Sequence, residues 1–446
     1  MKKILLVAAA LLTLVACGNK KTAENAPSGR LHPEWIYNTV VYEVNIRQFS
    51  PEASFNGVTA QLPRLKKLGV DVLWLMPMYE IGTVERKGTL GSYYAISDYK
   101  KVNPEFGTMA DFENLLAEAH KLGFKVILDW VANQTAPDHV WMTEKPADFY
   151  ERDSLGNAIW EYDWTDTRSL NYENEAVWAA QADCMRFWLD KGVDGFRCDA
   201  AGEVPAKFWK GILPQMKKDY PEMLLLAEAE KPELTDPRET FDASYAWKLH
   251  HLMNDIAQGK AGVADLKAYL AEDDAWMGTE NFRMMFTSNH DENSWSGTEF
   301  ERMGDAANVM AALCFTLPKG WPLIYTGQEI GLSRRLEFFE NDPITDWSAN
   351  SYTDFFTKLT AMRHANAEAL APGERGGKLT YVEGVPENVL AFSRKAGKQE
   401  VFVFANLGTE PAQVLLPTGY KDAMSGEPVK DGSCVLAPWG FVILSK

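Results

Sequence analysis

Residues 193–200 read VDGFRCDA, an apolar segment around Gly195 that carries Arg197 and Asp199 two positions apart. Side chains two apart on a β-strand point to the same face. If this segment is a strand, Arg197 and Asp199 project together and form an ion pair at its end. A salt bridge at a strand end is also an ordinary structural feature, so this pair alone does not indicate a function.

Seven further segments of this kind alternate with amphipathic stretches. Each is short, apolar and rich in β-branched residues, and several of the intervening stretches end in glycine, a common stop for a helix. The eight predicted strands lie at 39–49, 70–78, 124–133, 193–200, 223–230, 241–247, 282–291 and 321–329. Eight strands that alternate with helices predict a parallel sheet closed into a (β/α)8 TIM barrel.

Two stretches depart from this alternation and predict further structure. Residues 134–174 are too long for a simple crossover and rich in Asp, Trp and Tyr, so we expect a short subdomain after the third strand. From 371 to 446, short alternating strands separated by Gly, Pro and Asn turns predict a C-terminal antiparallel β-sandwich. The catalytic barrel, subdomain included, is then expected to span 32–370.

The first residues differ in character from the rest. MKKILLVAAALLTLVAC has the form of a bacterial export signal, and its apolar run is too short to span a bilayer permanently. Its last four residues resemble the lipobox of bacterial lipoproteins, although an ordinary signal peptide is the alternative. We expect a signal peptide over 1–17, a lipidated Cys17 and a flexible tether over 18–31. Such a protein is exported and held at the membrane, facing the periplasm or the cell surface, by its lipid anchor only.

The net charge argues against several classes of partner, and the spacing of the cysteines argues against a metal site. The 62 acidic and 45 basic residues give a net charge of -17, which argues against nucleic acid and anionic lipid and favours a neutral or cationic ligand. The remaining cysteines lack metal-ligand spacing and are predicted to be buried thiols, although export would permit a disulfide. They are Cys184, Cys198, Cys314 and Cys434.

Polar side chains collect at the carboxyl ends of the predicted strands, where barrels of this type carry out chemistry. They are Asp129 and Asn133 at strand three, Arg197 and Asp199 at strand four, Glu228 at strand five, and His290 and Asp291 at strand seven. Placing carboxylates from several strands around the mouth of one barrel costs free energy unless each charge is paired or takes part in catalysis. This pattern predicts an active site.

Four of these segments also match a known family. DWVAN (129–133), GFRCD (195–199), the glutamate of LLLAEAE (224–230) and SNHDEN (288–293) resemble, in order and strand placement, the four conserved regions of the α-amylase superfamily, glycoside hydrolase family 13. The resemblance covers nearly the whole mature chain. It implies a retaining hydrolase that cleaves α-1,4-glucosidic bonds of starch-derived glucans or maltooligosaccharides by double displacement, without an organic cofactor.

By position, the resemblance makes Asp199 the nucleophile, Glu228 the general acid and base, and Asp291 the transition-state stabiliser. The residues themselves agree with this assignment. Arg197 on the face of Asp199 should keep that carboxylate ionised, and the apolar run before Glu228 favours its protonated form. A nucleophile with a separate acid predicts retention of configuration and carboxyl groups about 5 to 5.5 Å apart.

The resemblance also assigns substrate binding around the reacting sugar. Arg197 and His290 would hold sugar hydroxyls, Asp129 belongs to the same set, and Tyr94 in GSYYAISDY would stack on the ring. Of the many tryptophans, Trp141 is the candidate for a further sugar platform.

Two positions depart from the family pattern. The first region normally ends in Asn-His, whereas DWVANQT has Gln134, whose amide can donate a hydrogen bond but carries no charge. After Asp199, many α-amylases have a lysine and a histidine on the leaving-group side, and this chain has AAGEVP. The departures raise a second hypothesis, a non-catalytic glucan-binding lipoprotein on an amylase scaffold. Cyclodextrin-cleaving and transglycosylating specificities are further alternatives within the enzyme class.

Calcium is the one metal that the sequence suggests. Asn133 together with Asp163 and Asp166 carries the hard oxygen donors that calcium prefers. Capping of turns explains the same side chains equally well, so both interpretations stay open.

Overall fold

The computed structural model describes residues 31–429 and 432–446. The predicted signal peptide, the lipidated Cys17 and all but the last residue of the tether lie outside the described residues. Eight parallel strands, numbered β1–β8, close into a barrel in which neighbours follow chain order and β8 pairs with β1. They are Val41–Val44, Val72–Leu75, Lys125–Val131, Gly195–Asp199, Leu224–Ala227, Ala243–Tyr245, Phe282–Met285 and Gly320–Tyr325. The predicted TIM barrel is confirmed, and each predicted strand overlaps one of these.

Helices surround the barrel and pack their apolar faces against it. The long ones are Phe55–Leu68, Met109–Lys121, Glu175–Asp190, Ala206–Asp219, Trp247–Ala257, Val263–Met277, Ala307–Thr316 and Ser351–Ala365. Shorter α-helices lie at Ile46–Phe49, Trp141–Glu144, Glu299–Met303 and Ala367–Leu370. Between β5 and β6 the crossover holds only the 3-10 turn Pro232–Leu234, so one of the seven crossovers between barrel strands has no α-helix. Trp74, Trp321 and other large side chains fill the barrel interior, which is a packed core and not a pore.

The segment that follows β3 forms the predicted subdomain. Gln134–Thr135 pairs antiparallel with Arg168–Ser169, and the short helix Trp141–Glu144 lies between them. A second excursion, after β2, is a hairpin of Tyr79–Ile81 and Ile96–Val102 that the sequence analysis did not predict. Both excursions leave the barrel at the carboxyl ends of strands and build walls above its mouth.

The C-terminal part is the predicted antiparallel sandwich. Its larger sheet contains Lys378–Tyr381, Val389–Ala396, Gln399–Asn406, Phe441–Ser445 and Lys421–Asp422, in that order across the sheet. The smaller sheet pairs Ala412–Leu416 with Gly432–Leu436. Buried residues of both sheets, including Phe404, Val414 and Leu436, form one hydrophobic core.

Two further features of the described residues concern the state of the cysteines and the presence of membrane-spanning helices. Cys184, Cys198 and Cys314 are buried free thiols as predicted, whereas Cys434 is free and half-buried. In residues 31–429 and 432–446, no helix combines the length and the apolarity needed to cross a bilayer.

Gly195 allows β4 to approach β5 closely. Its φ is 155°, and a Cβ atom at this position would lie 2.1 Å from the carbonyl oxygen of Leu224. The approach brings Arg197 level with Leu226 of β5, two residues before Glu228. The glycine that opens the GFRCD segment is therefore required by the spacing of the two strands that carry the central acids.

We expect Gly195→Ala to lower the free energy of unfolding by about 3 kcal/mol, because the methyl group would clash with backbone that cannot rotate away. Urea denaturation measures the change. Gly259→Ala is the matched control, since Gly259 also has a positive φ but nothing lies within 4 Å of its Cβ position. The control should lose only about 1 kcal/mol for its backbone conformation. Equal losses in both variants would contradict the close approach.

Candidate active site

A cavity of about 900 Å³ opens at the carboxyl ends of the barrel strands. Loops after β4, β5 and β7 line it together with the subdomain and the segment that follows β8. Of the predicted site residues, six line this cavity, namely Tyr94, Gln134, Asp199, Glu228, His290 and Asp291. Arg197 and Asp129 lie beneath them and are fully buried. The structure therefore brings the sequence-predicted acids and binding residues together in one cleft.

Arg197 is the centre of the site. Its Nη1 atom lies 2.8 Å from Asp129 Oδ1 and 2.9 Å from Asp199 Oδ1, and its Nη2 atom lies 2.8 Å from Glu228 Oε2. Nε donates to the hydroxyl of Tyr245 at 3.1 Å. The predicted contact between Arg197 and Asp199 is confirmed. A single buried guanidinium also fixes two carboxylates from the strands on either side of β4.

Strand register explains this convergence. Asp129 of β3 pairs with Arg197, and Val131 pairs with Asp199. Because parallel neighbours keep their side chains on the same face at paired positions, Asp129 and Arg197 enter the barrel mouth side by side. Glu228 follows β5 directly, and its Oε2 accepts a hydrogen bond from the backbone N–H of Ala200 at 2.9 Å.

Burial, more than Arg197, sets the protonation of the acids. Burial raises the pKa of Asp199 well above its ordinary value, the charge of Arg197 opposes this only in part, and Glu228, Asp129 and Asp291 raise the pKa further. Burial likewise raises the pKa of Asp129 and of Asp291. Arg197 lowers the pKa of Asp199, as expected, but its charge does not outweigh burial and the neighbouring carboxylates. Several carboxylates compete for one guanidinium, so the cluster binds protons at a higher pH than isolated aspartates do.

His290 supplies a second positive charge to the cluster. Its Nδ1 atom contacts Glu43, and its Nε2 atom lies 2.7 Å from the Tyr94 hydroxyl and 3.4 Å from Asp291 Oδ2. Burial alone would lower the pKa of His290, but the charges of Asp291 and Glu43 outweigh it and raise the pKa to about 9. His290 is thus protonated at neutral pH. The buried Glu43 beneath it was not predicted from the sequence.

Tyr94 bridges these charged groups through its hydroxyl and its ring. The hydroxyl donates to Asp129 Oδ2 at 3.1 Å, and the ring stacks on His290 with centroids 5.5 Å apart. The hairpin after β2 holds Tyr94 in this position. Tyr94 also lines the cavity, where a sugar can pack against it.

Aromatic side chains on two loops form walls of the cleft. None of them was predicted from the sequence. Trp295 is 56% exposed and packs on Phe338, with centroids 5.2 Å apart. Tyr162 and Trp164 of the subdomain also line the cavity and pack on each other. Their signal in the sequence is weak, because aromatic residues in loops have no periodicity that separates a binding surface from a core.

Trp141, the tryptophan that the sequence analysis singled out, is not a platform. It is only 6% exposed and packs against Tyr99, His139 and Phe149 inside the subdomain. Trp141 therefore belongs to the core of the subdomain and does not line the cavity.

The two departures from the family pattern both lie on the cavity wall. Gln134 is 3% exposed, and within the described part of the chain its Oε1 atom has no hydrogen-bond partner. After Asp199, the Nζ atom of Lys231 donates to the carbonyl oxygen of Gly202. Lys231, from the loop after β5, therefore places a positive charge on the cavity wall beside residues 200–205 (AAGEVP), which contain no basic residue.

The side chains suggested as calcium ligands make other contacts in the structure or line the cavity. The amide Nδ2 of Asn133 donates to Glu161 at 3.2 Å, and Asp166 lies 3.6 Å from the ammonium of Lys87. Asp163 lines the cavity as a separate group. In the part of the chain that the structure describes, no three His, Cys, Asp or Glu residues are placed to hold a metal ion. The calcium site stays a prediction from the sequence.

The raised pKa of His290 links folding to pH. Protonated His290 stabilises the folded state fully below the ordinary histidine pKa of about 6.5, and this contribution is lost as the pH rises through about 9. We expect the wild type to lose about 3 kcal/mol more unfolding free energy than His290→Gln between about pH 6 and about pH 10. Urea titrations at both pH values measure this. His251→Gln, at an exposed histidine, should keep the wild-type pH dependence; the same fall in wild type and His290→Gln would contradict the prediction.

Comparison with known proteins agrees with this site. The model of the α-amylase catalytic domain matches residues 43–365. α-Amylase MalA of Haloarcula japonica is 31% identical over 410 residues, which cover 89% of this chain and 59% of that relative. The oligo-1,6-glucosidase of Parageobacillus thermoglucosidasius is 28% identical, over 67% of this chain and 66% of its own length. The chain therefore spans less than two thirds of the length of these curated relatives.

Two solved structures extend the likeness to nearly the whole described chain. An α-amylase from Lactobacillus plantarum superposes with a TM-score of 0.82 at 32% identity, covering 92% of this chain and 99% of that one. A maltogenic α-amylase, AmyB, from Thermotoga neapolitana gives a TM-score of 0.80 at 25% identity, covering 92% and 98%. Because the match runs from β1 through the last barrel helix and includes every strand that carries an acid, this chain belongs to the α-amylase family of glycoside hydrolases.

Proposed function

We propose that the protein hydrolyses α-1,4-glucosidic bonds of starch-derived glucans or maltooligosaccharides with retention of configuration. The observation that carries the proposal is the contact of one buried guanidinium, Arg197, with Asp129, Asp199 and Glu228 at 2.8 to 2.9 Å. This contact holds two cavity-lining carboxyl groups side by side at the mouth of the barrel. A nucleophile and a separate acid fit two successive displacements at one anomeric carbon.

In the first displacement, a carboxylate oxygen of Asp199 attacks the anomeric carbon and forms a covalent glycosyl ester. Glu228 gives its proton to the departing glycosidic oxygen, so the leaving sugar departs with a free hydroxyl group. Attack requires a charge distribution in which Asp199 is ionised, although burial raises its pKa. Substrate that displaces water and approaches Asp199 with developing positive charge favours that distribution.

In the second displacement, Glu228 removes a proton from water as the water attacks the same carbon. The ester bond to Asp199 breaks, its electron pair returns to the carboxylate, and the sugar leaves with its original configuration. Asp291 lines the same cleft and stabilises the positive charge that develops in both transition states. Protonated His290 keeps Asp291 in place through its contact at 3.4 Å.

Sugar rings are held by packing and hydrogen bonds on the surrounding walls. Tyr94 and Gln134 line the cleft above the cluster, and the side-chain amide of Gln134 can donate a hydrogen bond to a sugar hydroxyl. Trp295 and the subdomain pair Tyr162 and Trp164 can support further rings at the two sides. These walls contact substrate beyond the reacting bond, so they contribute to the choice between long and short glucans.

The essential role of Asp199 is tested by Asp199→Asn, which removes the nucleophile and keeps its size. We expect kcat on maltoheptaose to fall by at least about 10³-fold, because the covalent intermediate cannot form. Chromatography of the products measures the rate, and ¹H NMR of fresh products should show the α-anomer first. Asp183→Asn, at an exposed aspartate paired with Lys100, is the control and should keep full activity. Full activity in Asp199→Asn would refute the mechanism.

The bond that is cleaved is tested separately, since some relatives are named oligo-1,6-glucosidases. We expect kcat/KM for maltotriose to exceed that for isomaltotriose. A reversed ratio would replace the α-1,4 assignment with α-1,6 while leaving the acids in their roles. Binding of both sugars without turnover would instead support the non-catalytic alternative.

We also propose that the protein is an exported lipoprotein anchored through Cys17, supported by the leader sequence that ends in LVAC. In a bacterial host fed an alkyne fatty acid, the full-length chain should take up label and sediment with membranes. Cys17→Ser should lose the label and leave the membrane fraction. Cys184→Ser is the control at a cysteine buried in the barrel. Label retained by Cys17→Ser would exclude this anchor.

A further inference from the structure

A second groove of about 640 Å³ lies beside the cleft, between the helices Trp247–Ala257 and Val263–Met277. Its lining includes the aromatic side chains of Trp247, Trp276 and His251. None of the proposed catalytic residues Asp199, Glu228 and Asp291 lines it. The groove is therefore a separate surface feature and not an extension of the reacting site.

Glu230 forms the boundary between the cleft and the groove, because it lines both. Its carboxylate is fixed from two sides. Oε1 contacts Arg283, and Oε2 accepts a hydrogen bond from the backbone N–H of Lys248 at 3.0 Å. A rigid shared wall means that a long ligand leaving the cleft at this side passes directly over the groove.

The aromatic groups of the groove are arranged as ring platforms. The rings of Trp247 and His251 stack with centroids 5.8 Å apart and an angle of 20° between their planes. Across the groove, the ammonium of Lys248 lies 5.2 Å from the ring centroid of Trp276. Both tryptophans are half-buried, so each is held by packing and still presents part of its ring to solvent.

The polar groups around these rings select for a neutral polyhydroxy ligand. Asp255, Asp265 and Glu272 line the groove as acceptors, and Lys248, which lies 3.4 Å from Glu272, is a donor. The excess of carboxylates disfavours an anionic ligand, while the aromatic faces suit the apolar face of a sugar ring. A few polar groups that converge on an apolar platform are typical of a specific small-molecule site.

We propose that this groove is a second glucan-binding site, which holds a distant part of the same chain whose scissile bond lies in the cleft. The inference rests on the proposed function for the identity of the glucan. Attachment at two places makes the second contact intramolecular and raises the effective concentration of substrate at the cleft. The gain requires a chain long enough to reach both places, so it is absent for short oligosaccharides.

Ala268→Arg tests the groove without removing any packed side chain, because Ala268 is exposed and lines the groove. We expect kcat/KM for long-chain amylose to fall by about 10-fold and kcat/KM for maltotriose to change by less than about 2-fold. Ala271→Arg is the matched control, at an exposed alanine of the same helix that does not line the groove. It should leave both substrates unaffected. Equal behaviour of the two variants on amylose would overturn the proposal.

Binding without turnover separates this proposal from the proposed function. Calorimetric titration of Asp199→Asn with maltoheptaose should show two sites, and addition of Ala268→Arg or Trp276→Ala should leave one. If the wild type fails to cleave any glucan but the two binding sites are present, the proposed hydrolysis fails and the groove stands. If Asp199→Asn binds at one site only and Ala268→Arg does not change it, the groove is refuted whatever the activity.

Discussion

The site depends on the ion pairs that the buried guanidinium of Arg197 makes. Its desolvation is offset only because Asp129, Asp199 and Glu228 contact it from three neighbouring strands. Removing the arginine would leave buried carboxylates without a counter-charge, whereas removing one acid would leave the others paired. The ion pairs of Arg197 therefore depend on β3, β4 and β5 being neighbours in the barrel.

His290 extends this cluster through Tyr94, whose hydroxyl contacts both His290 and Asp129. Together the two cations face five buried or partly buried carboxylates, so the site retains excess negative charge. Such a site stabilises the positive charge that develops when a glycosidic bond breaks. The raised pKa of Asp199 is the cost of this arrangement, because the same crowding of acids that favours the transition state also favours protonation.

The acids and the aromatic walls of the cleft belong to different parts of the molecule. The acids lie at the rigid ends of barrel strands, whereas the walls belong to loops. Trp295, Tyr162 and Trp164 can change without moving Arg197, and so can Lys231, which lines the stretch after Asp199. Relatives with different named specificities align with most of this chain, as such a division allows.

The sequence by itself determined the strand order, the subdomain and sandwich, and the positions of the acids, because hydrophobic periodicity and strand ends are local properties. It also determined that Arg197 and Asp199 share a face, which follows from a spacing of two. Only the tertiary structure decided that Arg197 also contacts Glu228, that Glu43 lies under His290, and that Trp141 is core while Trp295 lines the cleft. These depend on how barrel closure brings distant loops together. The protonation of Asp199 depends on the same closure, since burial is a property of the assembled site and not of the motif.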